Sequence, residues 1–414
     1  MTRLIVVLLI ALSAIPAWGG EDCRDCHRLE LAGAHRQLAC LACHVSETAT
    51  VANPAAGGAA SQCASCHLGT AAIFRHEMAT RSRERAFVAR SLGRADAGFF
   101  QKNCTSCHLR SCLDCHDQGG HRIAKPGTSA CLSCHRGYFT GADYLGRAPR
   151  EDSLRYQRGR TIDGETFLTM RPDIHAEAGL ACGDCHTMRS LAEGRKSAKG
   201  CTDCHTVSKR PIEHRIAAHL ERLECYACHS AWAAQEYGTF FLRFTQSPSR
   251  EDFWLKGEDA PGDYLRSAYL RKQDAPPLGL NSRGKVSPIR PQFITYFTHI
   301  RKDRPDGGEN RLLAAEWKAF FPHTIRRGTV MCDGCHDAPR RFLLEKRENS
   351  IYRLAEDGMG LESFWDQNGQ KVVNGAFFPA ERYRSLSSRG PAFQRGYLEK
   401  WQLFVNHGGG SSSR

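Results

Sequence analysis

Apolar positions are spread unevenly along the 414 residues. The chain opens on an apolar run from Leu4 to Leu12 behind a single charge at Arg3, and small residues follow it. That run is too short to span a bilayer. Ala17-Trp18-Gly19 offers a small-residue cleavage site, so residues 1–19 are expected to be a cleaved signal peptide. No later segment is apolar enough to cross a membrane, which predicts a mature chain without an integral membrane segment, in the periplasm or outside the cell. Beyond Gly20 the large apolar side chains are segregated. Only ten aromatic residues lie between Gly20 and His229, whereas fifteen lie between Ser230 and Met331 and eleven follow His336. The first stretch has too little bulk to fill an interior by itself, while the second can build an ordinary core. Two segments carry helical periodicity. Pro211–Tyr226 starts with a proline, which suits a first helical position. In it His214 and His219 stand five residues apart, about 140° around the axis, so they should face different neighbours. Pro391–His407 lines up Phe393, Tyr397, Trp401 and Phe404 on one stripe, with His407 on the same stripe and Gly408 to end the helix.

Cysteine changes this picture. All 20 cysteines fall in ten Cys-x-x-Cys-His pentapeptides. The cysteine pairs are Cys23/Cys26, Cys40/Cys43, Cys63/Cys66, Cys104/Cys107, Cys112/Cys115, Cys131/Cys134, Cys182/Cys185, Cys201/Cys204, Cys225/Cys228 and Cys332/Cys335. The histidines that close them are His27, His44, His67, His108, His116, His135, His186, His205, His229 and His336. This spacing is the attachment signal for c-type haem: two thiols form thioethers to the porphyrin, and the following imidazole meets the iron. A disulfide framework gives no reason for a histidine after each second cysteine. Zinc ribbons pair knuckles or add histidines at other spacings. The expected cofactor is therefore haem c, ten per chain and covalently held. Nine motifs crowd between Cys23 and His229, some only about twenty residues apart. His108 and Cys112 are four residues apart, which limits their separation to about 14 Å. The expected division is 1–19, a nine-haem array over 20–229, and a C-terminal lobe over 230–414 carrying the tenth haem. The expected fold is mainly α and irregular, packed around haem, with little β structure and an aromatic-rich C-terminal lobe.

Charge enters next. A formal net charge of +13 and a pI near 9.0 would fit a nucleic-acid partner. Export argues against one, and the cofactor offsets the excess. Ten haems would bring about −20 in propionates and ten ferric irons about +10. Most surplus Arg and Lys therefore reads as propionate partners.

Nine histidines stand outside the motifs: His35, His76, His121, His175, His214, His219, His299, His323 and His407. GAHRQLACLACH (33–44), IHAEAGLACGDCH (174–186) and AHLERLECYACH (218–229) nearly repeat one another, each placing a histidine shortly before an attachment site. Such a histidine can reach a neighbouring haem as sixth ligand; the plain alternative is a surface histidine. Nine for ten irons leaves at least one to a methionine, with Met78, Met170, Met188 and Met359 available, or to an open site. The tenth haem, at His336, has His323 and His407 as its expected partners.

The chain resembles the multihaem c-type cytochromes of bacteria that respire metals or sulfur and nitrogen compounds, with the motifs of its N-terminal half carrying the likeness. HSAWAAQEYGTF (229–240) is similar to segments where a further attachment site follows the tryptophan, with Glu236, Thr239 and Phe240 in place of Cys, Cys and His. FFPHTIRRGTVMCDGCHDAPRR (320–341) is similar to an end piece around a final haem, His323 being its ligand. The resemblance implies electron transfer along closely spaced, mostly bis-histidine haems, with redox proteins as partners. It leaves two alternatives. One is an oxidoreductase acting on a small nitrogen or sulfur oxyanion at one open haem; the other is a subunit of an extracellular cytochrome filament. In nitrite-reducing relatives a lysine replaces a motif histidine, and no motif here does so. No residue is assigned a catalytic role.

Overall fold

The computed structural model describes residues 33–44, 63–104, 108–119, 122–135, 143–144, 158–162, 165–169, 173–194, 197–248, 264–328, 330–350, 362–365 and 371–406. The expected signal peptide lies outside them, and so does the whole first motif with Cys23, Cys26 and His27. Cys107, His121, His407, Met170 and Met359 also lie outside. Among the described residues no helix is long and apolar enough to cross a membrane.

Residues 1–68 with 110–126 form one compact unit, and 69–109 with 127–414 form another. Short helical turns make up the first, at Gly33–His35, Cys40–Ala42 and Leu113–His116. The second is built on β structure. Strands β1 (Asp143–Tyr144), β2 (Arg158–Ile162) and β3 (Glu165–Thr169) form a small sheet in the order β1-β3-β2. A seven-stranded mixed sheet follows from β4 (Trp232–Thr245), β5 (Tyr264–Asp274), β6 (Leu278–Asn281), β7 (Val286–Arg301), β8 (Arg304–Pro305) and β9 (Arg311–Ala319). Strands β10 (Glu362–Trp365) and β11 (Lys371–Val373) pair by themselves, and β12 (Gly375–Phe377) joins the large sheet. Its order is β12-β6-β7-β4-β5, with β8 and β9 also on β7. Only β4 and β7 run parallel, from Thr239↔Thr295 to Thr245↔Arg301.

This sheet corrects the expectation of little β structure. The aromatic and β-branched residues of 232–319 suit a pleated surface. Strand β7 is buried along most of its length, so its apolar run shows no clean alternation to read. Its two prolines also disguise it. Pro291 lacks a ladder donor, and the register shifts between Pro291 and Phe293, as a bulge allows. The proposed remnant of a lost attachment site, Glu236, Thr239 and Phe240, lies within β4, paired to β5 on one side. No helical turn forms there.

The core centres on Ile289, Ile294 and Trp317, each fully buried. A second cluster brings Val88, Leu92, Phe99 and Phe100 against Tyr264 and Phe297. Phe99 meets Phe241 and Tyr264 edge-on, at 5.3 and 4.9 Å between centroids. The motif-rich half thus supplies its own apolar anchors to the sheet. A third cluster joins Ala227 of the ninth motif to Leu278 and Val286 of the sheet and to Phe342, Phe378 and Tyr383.

Both expected helices differ in detail. Pro211–Tyr226 is broken into a 3₁₀ turn at Ile212–Arg215, a helix at Ala217–Arg222 and another at Cys225–His229. Tertiary pairing overrides the local pattern here. Leu223 bridges to Val286, and the Glu224 amide donates to the Val286 carbonyl at 2.9 Å. The C-terminal helix is longer than expected, Ala380–Asn406, and runs through Pro391. Its second half presents Leu398, Trp401 and Leu403 to solvent, so Trp401 does not face inward as its stripe suggests.

Candidate haem-binding sites

Most of the described motifs are single helical turns. The closing histidine amide donates back to the carbonyl of the first cysteine in the motifs of His44, His67, His116, His135, His186, His205 and His336. Three described motifs carry aspartate at their third position, and there its carboxylate caps the turn. Asp114 accepts from the Arg110 amide at 2.6 Å, Asp184 from Ala181 at 2.7 Å and Asp203 from Gly200 at 2.7 Å. Capping satisfies amides that a first turn leaves open, so both thiols and the imidazole project from a fixed scaffold.

None of the described cysteines is in a disulfide. Among the described second thiols, those of Cys66, Cys134 and Cys204 are exposed. Cys66 and Cys134 are exposed, with the Ser65 and Ser133 hydroxyls donating to their Sγ atoms at 3.8 and 3.7 Å. Cys115 is half-buried, its amide donating to the Cys112 carbonyl at 3.3 Å. Their expected role in holding haem rests on motif spacing. For Cys26 and its motif the expectation lies wholly outside the described residues.

Five motif histidines face a histidine from outside the motifs. Ring centroids are 6.0 Å apart for His35 and His67, and 5.9 Å for His175 and His205. They are 6.3 Å apart for His186 and His323, 6.0 Å for His214 and His229, and 6.4 Å for His219 and His336. Two iron–nitrogen bonds of about 2 Å in line, extended on each side to the ring centre, give about 6 Å. The pairs therefore have the span that one iron between two imidazoles requires. Among the described residues no three His, Cys, Asp or Glu side chains gather round one point. An imidazole pair alone would not complete a metal's coordination, and a tetrapyrrole would supply the remaining donors. Burial, and then the neighbouring His186, push the His323 imidazole down to about 4, so it is neutral at pH 7 as a ligand must be. Burial likewise lowers His219.

Six Nδ1 atoms are spoken for, which leaves Nε2 of those rings for a metal. His108 donates to the Ala79 carbonyl at 3.1 Å, His116 to Ala124 at 3.0 Å and His229 to Arg326 at 3.0 Å. His336 donates to Leu386 at 2.9 Å and His214 to Ser208 at 2.8 Å. His175 differs, since its Nδ1 meets the Asp173 carboxylate at 2.9 Å. Outer partners of this kind fix the tautomer and ring orientation of ligating histidines.

Apolar side chains stand exposed where a cofactor would lie. Leu41, Leu68, Leu180, Val207, Leu220 and Met331 are exposed, Leu68 by 83 %. Each lies within or beside a motif or beside a paired histidine, where a porphyrin would cover it. Motifs themselves adjoin through their cysteines. In the second unit Cys131 lies beside Cys182, and Cys201 beside Cys225. Cys185 lies within electrostatic reach of Cys204, and Cys228 of Cys335. These contacts thread the last five motifs into one row. In the first unit Cys63 lies close to both Cys43 and Cys112, and Cys66 is within electrostatic reach of Cys43.

The partners of the tenth motif differ from expectation. His219 faces His336, and His323 faces His186 instead. Two other histidines have Nε2 engaged elsewhere. His76 meets the Ala192 carbonyl at 2.9 Å, and His299 on β7 meets Thr245 Oγ1 at 2.8 Å while its Nδ1 lies 3.3 Å from Asp306. Of the methionines, Met78 offers its carbonyl to the Leu109 amide, and Met188 starts a helix at Met188–Ala192.

Two residues escaped the sequence reading. Asp173 is buried, and only its place two residues before His175 hints at a role. Arg341, 4 % exposed, lies between the last two motifs. Its guanidinium donates to the Ala227 carbonyl at 2.6 Å and lies 3.5 Å from Cys335 Sγ. Arg341→Met should leave the buried Ala227 carbonyl without its partner, lowering stability by about 1–3 kcal/mol in denaturant titrations. An unchanged midpoint would mean the clasp contributes nothing.

No curated protein and no solved structure matches the chain. Residues 160–244, which hold the motifs at Cys182, Cys201 and Cys225 and six of the ten paired imidazoles, match the model of the Class III cytochrome C family, and this supports a multihaem c-type cytochrome with covalently bound haem.

Proposed function

We propose that the chain is an exported decahaem cytochrome that passes electrons along a row of mostly bis-histidine haems, between redox partner proteins in the periplasm or outside the cell. The five imidazole pairs carry this reading. A chain using its motifs for isolated sensing or zinc would not need a second imidazole about 6 Å from each of five motif histidines. Each cysteine pair would hold one porphyrin by thioethers, and His35, His175, His214, His219 and His323 would supply sixth ligands. Haem supplies one-electron chemistry between its ferric and ferrous states. A histidine from each side would leave the iron no place for a substrate, which favours transfer over substrate binding. The motif row brings attachment points side by side, and exposed leucines at the motifs would be sealed from water by the macrocycles. The apolar run Leu4–Leu12 supports export, to a compartment where haem is attached to thiols.

Mass spectrometry of protein matured in a host that makes c-type cytochromes tests this. The chain should exceed its processed polypeptide by ten haems and carry no free thiol. Eight or fewer haems would refute the decahaem reading and mark which motifs are unused. The motifs whose second thiols are exposed, at Cys66, Cys134 and Cys204, are the ones to map first.

A further inference from the structure

Among the outer partners of His175, His214, His229 and His336, the carboxylate of Asp173 is the charged one. Asp173 Oδ1 accepts from the His175 amide at 2.7 Å and meets His175 Nδ1 at 2.9 Å. Its Oδ2 accepts from the Ile325 amide at 2.6 Å. The side chain is only 7 % exposed, so water screens it poorly. The next site along the row is a natural comparison. There His229 and His214 donate to the carbonyls of Arg326 and Ser208, both neutral acceptors. The nearby Arg326 guanidinium is committed to Glu177 by two bonds of 2.6 and 2.7 Å. Among the described residues, the carboxylate of Asp173 therefore acts on His175 without that cation in contact.

A carboxylate that takes the Nδ1 proton into a strong hydrogen bond raises the basicity of the opposite nitrogen. More electron density at Nε2 stabilises the ferric state over the ferrous one. We propose that Asp173 is a potential-setting residue, which through His175 makes the haem held by Cys201, Cys204 and His205 more reducing than its neighbour held by Cys225, Cys228 and His229. The assignment rests on the multihaem reading above. Asp173 acts through the orientation and basicity of His175, while its charge reaches His323 of the His186 pair more weakly, without a hydrogen bond. Because that site lies inside the row, it sets a step that electrons must climb, whichever end they enter.

The test is a reductive titration of the full haem-loaded chain, followed by absorbance and electron paramagnetic resonance, for the unsubstituted protein, Asp173→Asn and Glu177→Gln. Asp173→Asn keeps the volume but removes the charge. It should move about one haem in ten from the low-potential end of the curve to higher potential, with the low-spin intensity unchanged. Glu177→Gln loses a carboxylate that does not touch His175 but also releases Arg326, and should shift the curve less than Asp173→Asn does. Superimposable curves for Asp173→Asn and the unsubstituted protein, at equal haem content, would overturn the proposal. So would an equal shift in Glu177→Gln, which would point to the general field, or a new high-spin signal without a shift, which would make Asp173 a mere anchor. Failure of the multihaem reading shows separately, as missing or mainly high-spin haem in the unsubstituted protein.

Discussion

His219→Ala is expected to convert the haem at Cys332–His336 from low spin to high spin and to leave the one at Cys225–His229 unchanged. The helix at Ala217–Arg222 lies just before the ninth motif in sequence, yet it turns the His219 ring to His336, 6.4 Å away between centroids. Removing the imidazole opens one axial position, so about one-tenth of the total haem should acquire a high-spin spectrum. His323→Ala should act on the haem at Cys182–His186 in the same proportion. Resonance Raman or electron paramagnetic resonance, on each variant combined with a Cys→Ala knockout of one motif, identifies the affected haem. If His323→Ala instead opened the tenth site, the ring pairings would be wrong and the sequence-based expectation for that site right.

Trp317→Ala should be the most damaging substitution in the sheet. Trp317 is fully buried on β9, packs edge-on to Phe377 of β12 at 5.6 Å, and shares its cluster with Ile289 and Ile294 of β7. A large-to-small change there removes transfer energy and leaves a cavity, at a cost of about 3–5 kcal/mol. Denaturant titration followed by far-ultraviolet circular dichroism measures it. A loss below about 1 kcal/mol would mean that the strands around β7 relax to fill the space.

The cofactor was legible from cysteine spacing because thioether chemistry dictates the local sequence. How each thiol sits was not: Cys66 and Cys134 are exposed while Cys115 is half-buried, although all three close the same spacing. The second imidazoles were half legible. The three near-repeats marked His35, His175 and His219, but not their targets. In each case the ring passes over the motif it precedes and meets a later one: His67, His205 and His336. That skipping depends on how turns stack in space, which local spacing does not encode. His214 and His219 were expected to face different neighbours, and they do, although the helix used for that argument is interrupted at Ile216 and Leu223. The sheet was hidden for two reasons. Buried strands lose their alternation, and prolines at 288 and 291 argue locally against a strand that long-range pairing nevertheless imposes. Asp173 was hidden because its chemistry depends on Ile325, which only the folded chain brings to it.

The imidazole pairs also differ in how much chain they enclose. His214 with His229 and His175 with His205 close short loops, whereas His186 with His323 and His219 with His336 close loops of more than a hundred residues that contain most of the large sheet. Long loops close late, since many contacts must form before they are favourable. Maturation should therefore run in two phases. The locally closed irons gain their second imidazole early, and the irons at His186 and His336 wait for the sheet. Until it forms, those two positions are open to stray small ligands such as cyanide or azide, and their capture would report an unfinished molecule.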